Sequence, residues 1–498
     1  MHKGINKTIG STILKRDLEH AKSYKLWAQT ASKLQQTAKK DAKVKPSKLL
    51  QTKCAQLKRA LQDQNISRLL ILIEECCMRN FGDILNPSLY EPYGFPQEPL
   101  IEQFLSLLEA AIKWVAGCEC LSREEKDSFF KALQSRLGNS ALLLSGGSSL
   151  GMLHIGVAKG LLDSSILPTI IHGSSAGSIV AAIICVSLED EIEEALKLTK
   201  LQLLAFDEFE EEGNFMAKIL KRFKRVATTG AAYDSDVLVR CMRHNLGDLT
   251  FKEAWLKTGR ILNIAVSSST GYEMPKMLNY LTAPDVVIWS AVVASCAIPK
   301  IFLSASLLVK TRGPGKKLVP WHATFHENID GSVESDLPIK SLAEMFNVNN
   351  VIVSQVNVHV VPFIFNRYPT GFVERATATI LRLFKRELIH RIGQLKRWGL
   401  CPRFLVFIYK VLRQTYHGNI TIVPKLSLSD YFVLFSNPSL EFIRECILRG
   451  ERALWPSVFL VKNSQRIEKL IQDLLNDANS NADKQSRTTI PSPGHANK

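Results

Sequence analysis

The chain has 498 residues, of which 46% are hydrophobic and 22% charged, the ordinary balance of a globular protein, and its length predicts two or three domains. Lys and Arg number 63 against 47 Asp and Glu, so the formal net charge is +16, which favours anionic partners such as nucleic acid or lipid headgroups but also fits a solvated basic surface. No apolar run reaches the ~18 residues that span a bilayer, and residues 1–25 lack the apolar region of a secretory signal, so neither a transmembrane span nor a signal peptide is expected.

Ten cysteines are scattered along the chain without a regular framework. The close pairs, Cys76 with Cys77 and Cys118 with Cys120, lack the second pair or the histidines that a zinc site needs. Buried free thiols in a reducing compartment are the simpler interpretation, and no metal or cofactor is expected.

Apolar residues at helical spacing dominate the chain up to about residue 125. From Ser140 onward, short β-type runs alternate with glycine turns and helical segments. They are, in order, the strand Ala141–Leu144, the turn Gly146-Gly147, the helix Met152–Leu162, the strand Ile166–Ile171, Gly173 and a helix from Gly177. This alternation predicts an α/β fold with a parallel sheet, to which the runs at 261–266 and 351–353 are expected to add strands.

The turn between the second strand and its helix reads Gly173-Ser174-Ser175-Ala176-Gly177, a Gly-x-Ser-x-Gly pattern. A strand that runs directly into a helix forces a tight turn, so the middle serine projects its Oγ into the open beside the first N–H groups of the helix. The pattern also occurs in turns that are only structural, but the β-type residues before it and the small apolar residues after it favour a nucleophile at Ser175.

A second glycine cluster, residues 145–151 (SGGSSLG), follows the preceding strand. Backbone N–H groups in such a turn can point at a developing oxyanion. A nucleotide phosphate loop is the weaker interpretation, because the turn lacks the Lys-Ser/Thr of a Walker loop and Ser148 takes the place of the middle glycine in Gly-x-Gly-x-x-Gly.

The third element is Asp330-Gly331, which suits a loop that carries a base to the site, although a lone Asp-Gly is usually a simple turn. In this order the three elements resemble the patatin-like phospholipase family. The stretches 172–182, 278–302 (LNYLTAPDVVIWSAVVASCAIPKIF) and 330–363 resemble one branch of it, the patatin-type triacylglycerol lipases of fungi and plant seeds. The helical N-terminal region with Trp27 resembles the domain that precedes the patatin domain in that branch.

The resemblance implies a patatin-like parallel-sheet sandwich with flanking helices, preceded by a helical N-terminal domain. We expect the helical domain at 1–125, the catalytic domain at 138–345, a C-terminal extension with a basic amphipathic helix at 346–475 and, because residues 476–498 are polar and aperiodic, a disordered tail there. The site residues carried over position by position are Ser175 as nucleophile, Asp330 as its partner, Gly146, Gly147 and Ser148 as the oxyanion turn, and Gly173 and Gly177 as the glycines of the nucleophile turn.

Three positions depart from the general family pattern. Ser148 replaces a glycine, and Ser332 stands where many members have Gly or Ala. Leu150 takes the place of a basic residue that often precedes the last glycine of the oxyanion turn. A negative headgroup therefore loses one partner, and the expected substrate leans toward neutral glycerides rather than phospholipid.

The mechanism that the resemblance implies uses Asp330 to take the proton of Ser175 as its hydroxyl attacks an ester, followed by hydrolysis of an acyl-enzyme. A Ser-His-Asp triad is the rival, because His359 or His390 could complete the order Ser, Asp, His. His154 and His172 flank the two glycine turns and are expected to pack there or to donate hydrogen bonds to site residues.

Residues 375–398 place apolar side chains at helical spacing among many basic ones, and the apolar run FLVFIY follows at 404–409. Such a basic amphipathic helix suits a lipid monolayer, or it packs on the sheet with a solvated basic face. The basic cluster at 221–225 (KRFKR) has the same two interpretations, and nucleic-acid binding has no support beyond charge.

These observations leave three functions open. The first is a triacylglycerol lipase that contacts a lipid droplet or a cytosol-facing membrane surface. The second is a phospholipase, lysophospholipase or lysophospholipid acyltransferase with the same dyad. The third is a catalytically silent scaffold on a lipid surface.

Overall fold

The computed structural model describes residues 13–38, 47–90, 93–96, 99–197, 235–266, 276–297, 306–311, 317–321, 337–357, 372–400, 417–434 and 437–488, together with 402, 405 and 409. Asp330, Ser332, His359 and the basic cluster at 221–225 lie outside the described residues. The chain divides into two compact units, one of Met1–Ser140, Phe346–Asn350 and Trp455–Lys498, the other of Ala141–Met345 and Val351–Leu454.

Helices account for most of the described chain. Those of eight residues or more that are discussed here are α1 (Tyr24–Ala38), α2 (Lys48–Gln62), α3 (Ile66–Cys76), α4 (Pro99–Gly117), α5 (Arg123–Leu137), α6 (Met152–Asp163), α7 (Ala176–Val186), α8 (Ser235–Leu246), α9 (Phe251–Thr258), α10 (Ile288–Cys296), α11 (Ile339–Phe346), α12 (Phe372–Arg397), α13 (Leu440–Leu454) and α14 (Val458–Thr488). The strands are β1 (Asn139–Leu144), β2 (Ile170–Gly173), β3 (Ile261–Val266), β4 (Lys276–Leu278), β5 (Leu308–Lys310), β6 (Leu318–Pro320), β7 (Val348–Ser354) and β8 (Ile420–Ile422).

The first unit is helical, as the N-terminal periodicity predicted. Side-chain caps start its helices: Ser47 accepts from the N–H of Leu50, and Ser122 forms a capping box with Glu125. The apolar faces of α2 to α5 and α14 meet in one core, in which Leu57 and Ile112 are fully buried.

Helix α14 continues to Thr488, through a stretch from residue 476 that the sequence predicted to be disordered. Residues 476–488 (NDANSNADKQSRT) contain neither Pro nor Gly to stop a helix. The preceding turns are anchored because Ile471 and Leu475 are buried in the core. Residues 489–498 lie outside the described part of the chain.

The second unit is built on a six-stranded sheet in the order β4-β3-β2-β1-β7-β8. Parallel pairing of β1 with β2 and of β2 with β3 confirms the predicted α/β fold, while β4 is antiparallel. Strand β2 begins at Ile170, later than predicted, because Pro168 has no N–H to donate to a ladder.

The register of the sheet brings the two glycine turns together. Leu144, the last residue of β1, lies opposite Gly173, the last residue of β2, and Gly173 lies opposite Ile264 of β3 on its other side. The turns that follow β1 and β2 therefore start side by side at the carboxyl edge of the sheet, which is where open α/β sheets bind ligands.

Seven of the nine described cysteines are buried and all nine are free thiols, in agreement with the interpretation from the sequence. Within the described residues, no helix combines the length and the apolar character needed to cross a bilayer.

Candidate active site

Ser175 lies in a strained turn between β2 and α7. Its backbone has φ 49° and ψ −126°, a conformation that non-glycine residues rarely adopt and that costs roughly 1–3 kcal/mol. Its side chain is only partly buried, whereas the α7 residues that follow it are buried throughout. A strained, accessible serine between a strand and a helix is the arrangement that the Gly-x-Ser-x-Gly pattern predicted.

The glycines of this turn are required because the backbone packs against itself and against β1. A Cβ on Gly177 would press on the carbonyl oxygen of Leu144 and lie 2.6 Å from that of Ser145. A Cβ on Gly173 would lie 2.5 Å from the Gly177 oxygen. The N–H of Ser174 donates to the Leu144 carbonyl at 3.1 Å, so the turn is tied to the end of β1.

Hydrogen bonds hold the backbone of Ser175 on both sides. Its N–H donates to Ser295 Oγ at 2.9 Å, and Ser295 Oγ donates in turn to the Ala265 carbonyl of β3 at 2.7 Å. Its carbonyl accepts from the hydroxyl of Ser178 at 2.6 Å. These bonds use backbone groups of Ser175, so they hold the turn without occupying its Oγ.

Cys296 lies beside the nucleophile candidate. Burial raises the pKa of the Cys296 thiol to about 12, and hydrogen bonds with the side chains of Ser178 and Ser175 oppose this only in part. The thiol therefore stays protonated and neutral at physiological pH, which makes it a packing and hydrogen-bonding neighbour of Ser175 rather than a competing nucleophile.

The predicted oxyanion turn, residues 145–151, lies against the nucleophile turn. A Cβ on Gly151 would come within 2.5 Å of the Ala176 Cβ, so the two turns are in contact. No described residue accepts a hydrogen bond from the N–H groups of Gly146, Gly147 or Ala176. These amides supply candidate donors for an oxyanion formed at Ser175, and Ala176 was not among the residues named from the sequence.

His154 is a structural residue at the base of this turn. It is fully buried, and its Nε2 donates to the Ser145 carbonyl at 2.9 Å while its Nδ1 accepts from Ser354 Oγ at 2.8 Å. It therefore joins the ends of β1 and β7, as the packing interpretation of the sequence expected. His172 is buried within β2.

The partner of Ser175 stays a prediction, because Asp330 lies outside the described residues. Of the two histidines of the rival triad, His390 is exposed on α12, where its Nε2 lies 3.1 Å from Gln394 Nε2, one helical turn away. That contact with its own helix gives no support to a triad through His390, and His359 is not described.

Sequence reasoning missed the contacts of Ser295, Cys296 and Leu434 with the two turns. Ser295 and Cys296 lie in the stretch 278–302, which resembles the lipase branch, but the resemblance assigned no role to either residue. Leu434, whose carbonyl accepts from Ser149 Oγ at 2.9 Å, lies in a region with no motif. Only the folded chain brings these residues to the site.

Two protein-family models match this chain, and one of them covers the two glycine turns of the candidate site. A family model described as "Patatin-like phospholipase" matches residues 142–343, and a second, described as "Domain of unknown function (DUF3336)", matches residues 6–135. The first of these spans both glycine turns, and the second spans most of the helical N-terminal region.

Three relatives align with most of the chain. "Triacylglycerol lipase ptl3" of Schizosaccharomyces pombe is 33% identical over 467 residues, covering 92% of this chain and 96% of that protein. "Triacylglycerol lipase 5" of Saccharomyces cerevisiae is 34% identical, covering 90% of this chain and 62% of that protein. "Triacylglycerol lipase SDP1L" of Arabidopsis thaliana is 33% identical, covering 91% of this chain and 57% of that protein. The chain thus matches nearly the whole of the first relative and about three fifths of the other two.

Proposed function

We propose that this chain releases fatty acid from triacylglycerol through an acyl-enzyme on Ser175. The chain belongs to the patatin-like phospholipase family and is a carboxylic ester hydrolase. The observation that carries the proposal is the strained backbone of Ser175 at the carboxyl edge of the sheet, in contact with a glycine turn in which the N–H groups of Gly146 and Gly147 face no described acceptor. The names of the relatives supply the substrate class.

The reaction proceeds in two halves. Ser175 Oγ attacks the ester carbonyl while a base takes its proton, and the negative charge on the carbonyl oxygen is stabilised by N–H groups of Gly146, Gly147 and Ala176. The tetrahedral intermediate expels the diacylglycerol alkoxide, which receives the proton. Water then attacks the acyl-enzyme and gives its proton to the same base, and fatty acid leaves as Ser175 is regenerated.

Asp330 is the proposed base. Its support is the family pattern, together with the exposed position of His390 on α12. Asp330→Asn is expected to lower kcat about 10³-fold or more, because the amide cannot take a proton. His359→Ala and His390→Ala should keep kcat within about threefold. A loss with either histidine variant that matches the loss with Asp330→Asn contradicts the dyad.

A neutral substrate fits the oxyanion turn. Leu150 stands where the family often has a basic residue, and its side chain is fully buried, so this position offers no charge to a headgroup phosphate. We therefore expect the purified chain to release oleate faster from emulsified triolein than from dioleoyl phosphatidylcholine or lysophosphatidylcholine. The reverse order would identify a phospholipase with the same site.

The decisive control for the enzyme is Ser175→Ala measured on triolein. Loss of release by about 10⁴-fold, with loss of labelling by a fluorophosphonate probe, supports the proposal. Release that survives the substitution rejects Ser175 as nucleophile. If the wild-type chain neither hydrolyses esters nor is labelled by the probe, the alternative of a catalytically silent scaffold on a lipid surface is supported instead.

Helix α12 supplies a surface for contact with a lipid droplet or a membrane monolayer. Ile380, Leu383 and Phe384 share one helical face and are 67%, 59% and 61% exposed. Trp398, just beyond the helix, is 68% exposed, and exposed basic residues of the same helix include Arg386 and Arg391. Exposed apolar side chains beside basic ones suit an anionic or zwitterionic lipid surface better than water.

The double substitution Ile380→Ser with Phe384→Ser tests this surface. We expect it to lower activity on emulsified triolein several-fold while leaving kcat/KM on soluble p-nitrophenyl butyrate unchanged, because only the emulsion requires adsorption. Leu256→Ser is the control, since Leu256 on α9 is equally exposed at 67% but no other large apolar residue of that helix is exposed. Equal losses for the two variants on the emulsion would reject α12 as the lipid-binding surface.

A further inference from the structure

Ser148 poses a structural problem in the oxyanion turn. Its φ of 52° lies in the left-handed region, which costs a side chain roughly 1–2 kcal/mol and which glycine adopts freely. The family pattern has glycine at this position, whereas this chain keeps a Cβ there. Some other interaction must therefore hold the turn in this conformation.

The carbonyl oxygen of Leu434 provides that interaction. It accepts a hydrogen bond from the hydroxyl of Ser148, a second from Ser149 Oγ at 2.9 Å and a third from the Ser149 N–H at 3.2 Å. Three donors from two consecutive residues converge on one acceptor. Such a carbonyl fixes both side chains and the backbone of the turn at the point where Ser148 is strained.

A buried ion pair fixes the segment that carries Leu434. Asp430, in the short 3-10 turn Leu428–Phe432, accepts from Arg449 through both oxygens, at 3.1 and 2.5 Å. Burial acts to raise the pKa of the Asp430 carboxyl, but hydrogen bonds from Arg449 and Ser427 outweigh it and the pKa lies below its ordinary value. The carboxylate thus stays ionised, and the bidentate geometry fixes its direction.

Arg449 is itself held in a fixed place relative to the oxyanion turn. It lies on α13, which crosses α6, the helix that begins directly after the turn. Any Cβ on Gly450 or Gly156 would collide with the backbone of the opposite helix, so the two helices touch backbone to backbone. Lys159 of α6 also pairs with Glu451 of α13 at 2.6 Å.

We propose that Leu434, Asp430 and Arg449 form a brace that positions the oxyanion turn for catalysis, and that the brace is what allows Ser148 to replace glycine. All three residues lie beyond the matched family domain at 142–343. The role rests on the proposed function, since a turn is positioned for catalysis only if ester hydrolysis occurs at Ser175. None of the three touches the reacting atoms, so they are positioning residues.

The test is a pair of substitutions at Ser148, assayed on p-nitrophenyl butyrate so that lipid adsorption plays no part. Ser148→Ala keeps the strained Cβ and loses the bond to Leu434, and we expect kcat to fall about tenfold with little change in KM. Ser148→Gly loses the bond and the strain together, and kcat should return to within about threefold of wild type. A hydroxyl acting directly on substrate would instead make glycine as poor as alanine.

Arg449→Lys extends the test to the far end of the brace. It keeps the charge but loses the bidentate fork, and we expect kcat to fall about fivefold, with partial recovery in the double variant that adds Ser148→Gly. Glu445→Gln is the matched control, because Glu445 is a solvent-exposed partner of the same arginine at 3.8 Å. It should keep kcat within about twofold.

Amide hydrogen exchange of residues 145–151 gives a readout that needs no ester hydrolysis. The brace predicts faster exchange there in Ser148→Ala and Arg449→Lys than in wild type or Glu445→Gln. Unchanged exchange, or a kcat for Ser148→Ala equal to that of wild type, overturns the brace. Loss of the proposed function has a different signature, because ester hydrolysis is then absent from wild type or insensitive to Ser175→Ala while the exchange difference persists.

Discussion

Ser148 and Ser175 hold almost the same unfavourable φ, 52° and 49°, in two turns that touch each other, but the chain stabilises them in opposite ways. At Ser175 the backbone is fixed by Ser295 and Ser178, and the hydroxyl is left accessible for chemistry. At Ser148 the hydroxyl is fixed by Leu434. Two serines with nearly the same unfavourable φ therefore have different roles, one reactive and one supporting, and the group that each uses for hydrogen bonds, backbone or hydroxyl, distinguishes them.

Substituting Ser175 with alanine or with glycine separates the chemical role of its hydroxyl from the strain of its backbone. Both Ser175→Ala and Ser175→Gly are expected to abolish ester hydrolysis, by about 10⁴-fold. Ser175→Gly should also raise the free energy of unfolding by about 1 kcal/mol, because glycine adopts the turn without strain. Urea denaturation of both variants measures this difference, and a glycine variant less stable than the alanine variant contradicts a strained native turn.

Gly177→Ala tests the close approach that shapes the turn around Ser175. The added Cβ meets the carbonyl oxygens of Leu144 and Ser145 at the end of β1, so we expect the free energy of unfolding to fall by roughly 2–3 kcal/mol. Gly117→Ala is the control, because a Cβ at the end of α4 meets nothing within 4 Å. Its stability should change by about 0.5 kcal/mol or less. Thermal and urea unfolding of both variants provide the measurement.

Ser295→Ala removes the hydrogen bond that holds the N–H of Ser175. We expect kcat on p-nitrophenyl butyrate to fall about 10-fold to 30-fold with KM nearly unchanged, because the hydroxyl of Ser175 loses its fixed direction. Ser290→Ala, on the same helix, also removes a buried hydroxyl bonded to backbone, at the Val287 carbonyl and the N–H of Leu308, but neither bond reaches the turn of Ser175. Ser290→Ala should therefore lower stability without lowering kcat, and a similar kcat loss in both variants would make Ser295 merely structural.

The smallest expected effect concerns the thiol beside Ser175. Burial raises the pKa of Cys296 from 9.0 to about 12, so between these values the unfolded chain loses this proton while the folded chain keeps it. The thiol's contribution to stability is thus complete below pH 9 and is lost as the pH rises toward 12, by up to ~1.4 kcal/mol per pH unit. Cys296→Ala should flatten the decline in unfolding free energy between pH 9 and 10, and the exposed Cys120→Ala should not.

The local pattern of the sequence was enough to predict β1, β3, α6, α7 and the position of Ser175 at the end of a strand. Those features follow from neighbours a few residues apart, such as β-branched runs and the glycines at 173 and 177. The residues that hold the two turns in place could not be predicted from such local patterns. The hydrogen bonds of Ser295 to Ser175 and of Leu434 to Ser148 join residues that are distant along the chain, and no local pattern indicates that these pairs will be in contact.

The backbone contact between Gly156 and Gly450 also has a consequence for the timing of synthesis. Chains grow at roughly 5–20 residues per second, so α13 is made on the order of tens of seconds after α6. During that interval the nascent chain already contains Ser175 and the glycine turn but not the helix that carries Arg449. We expect a ribosome-bound chain stalled before residue 440 to be labelled poorly by a fluorophosphonate, so that lipid hydrolysis would begin only after α13 has been made.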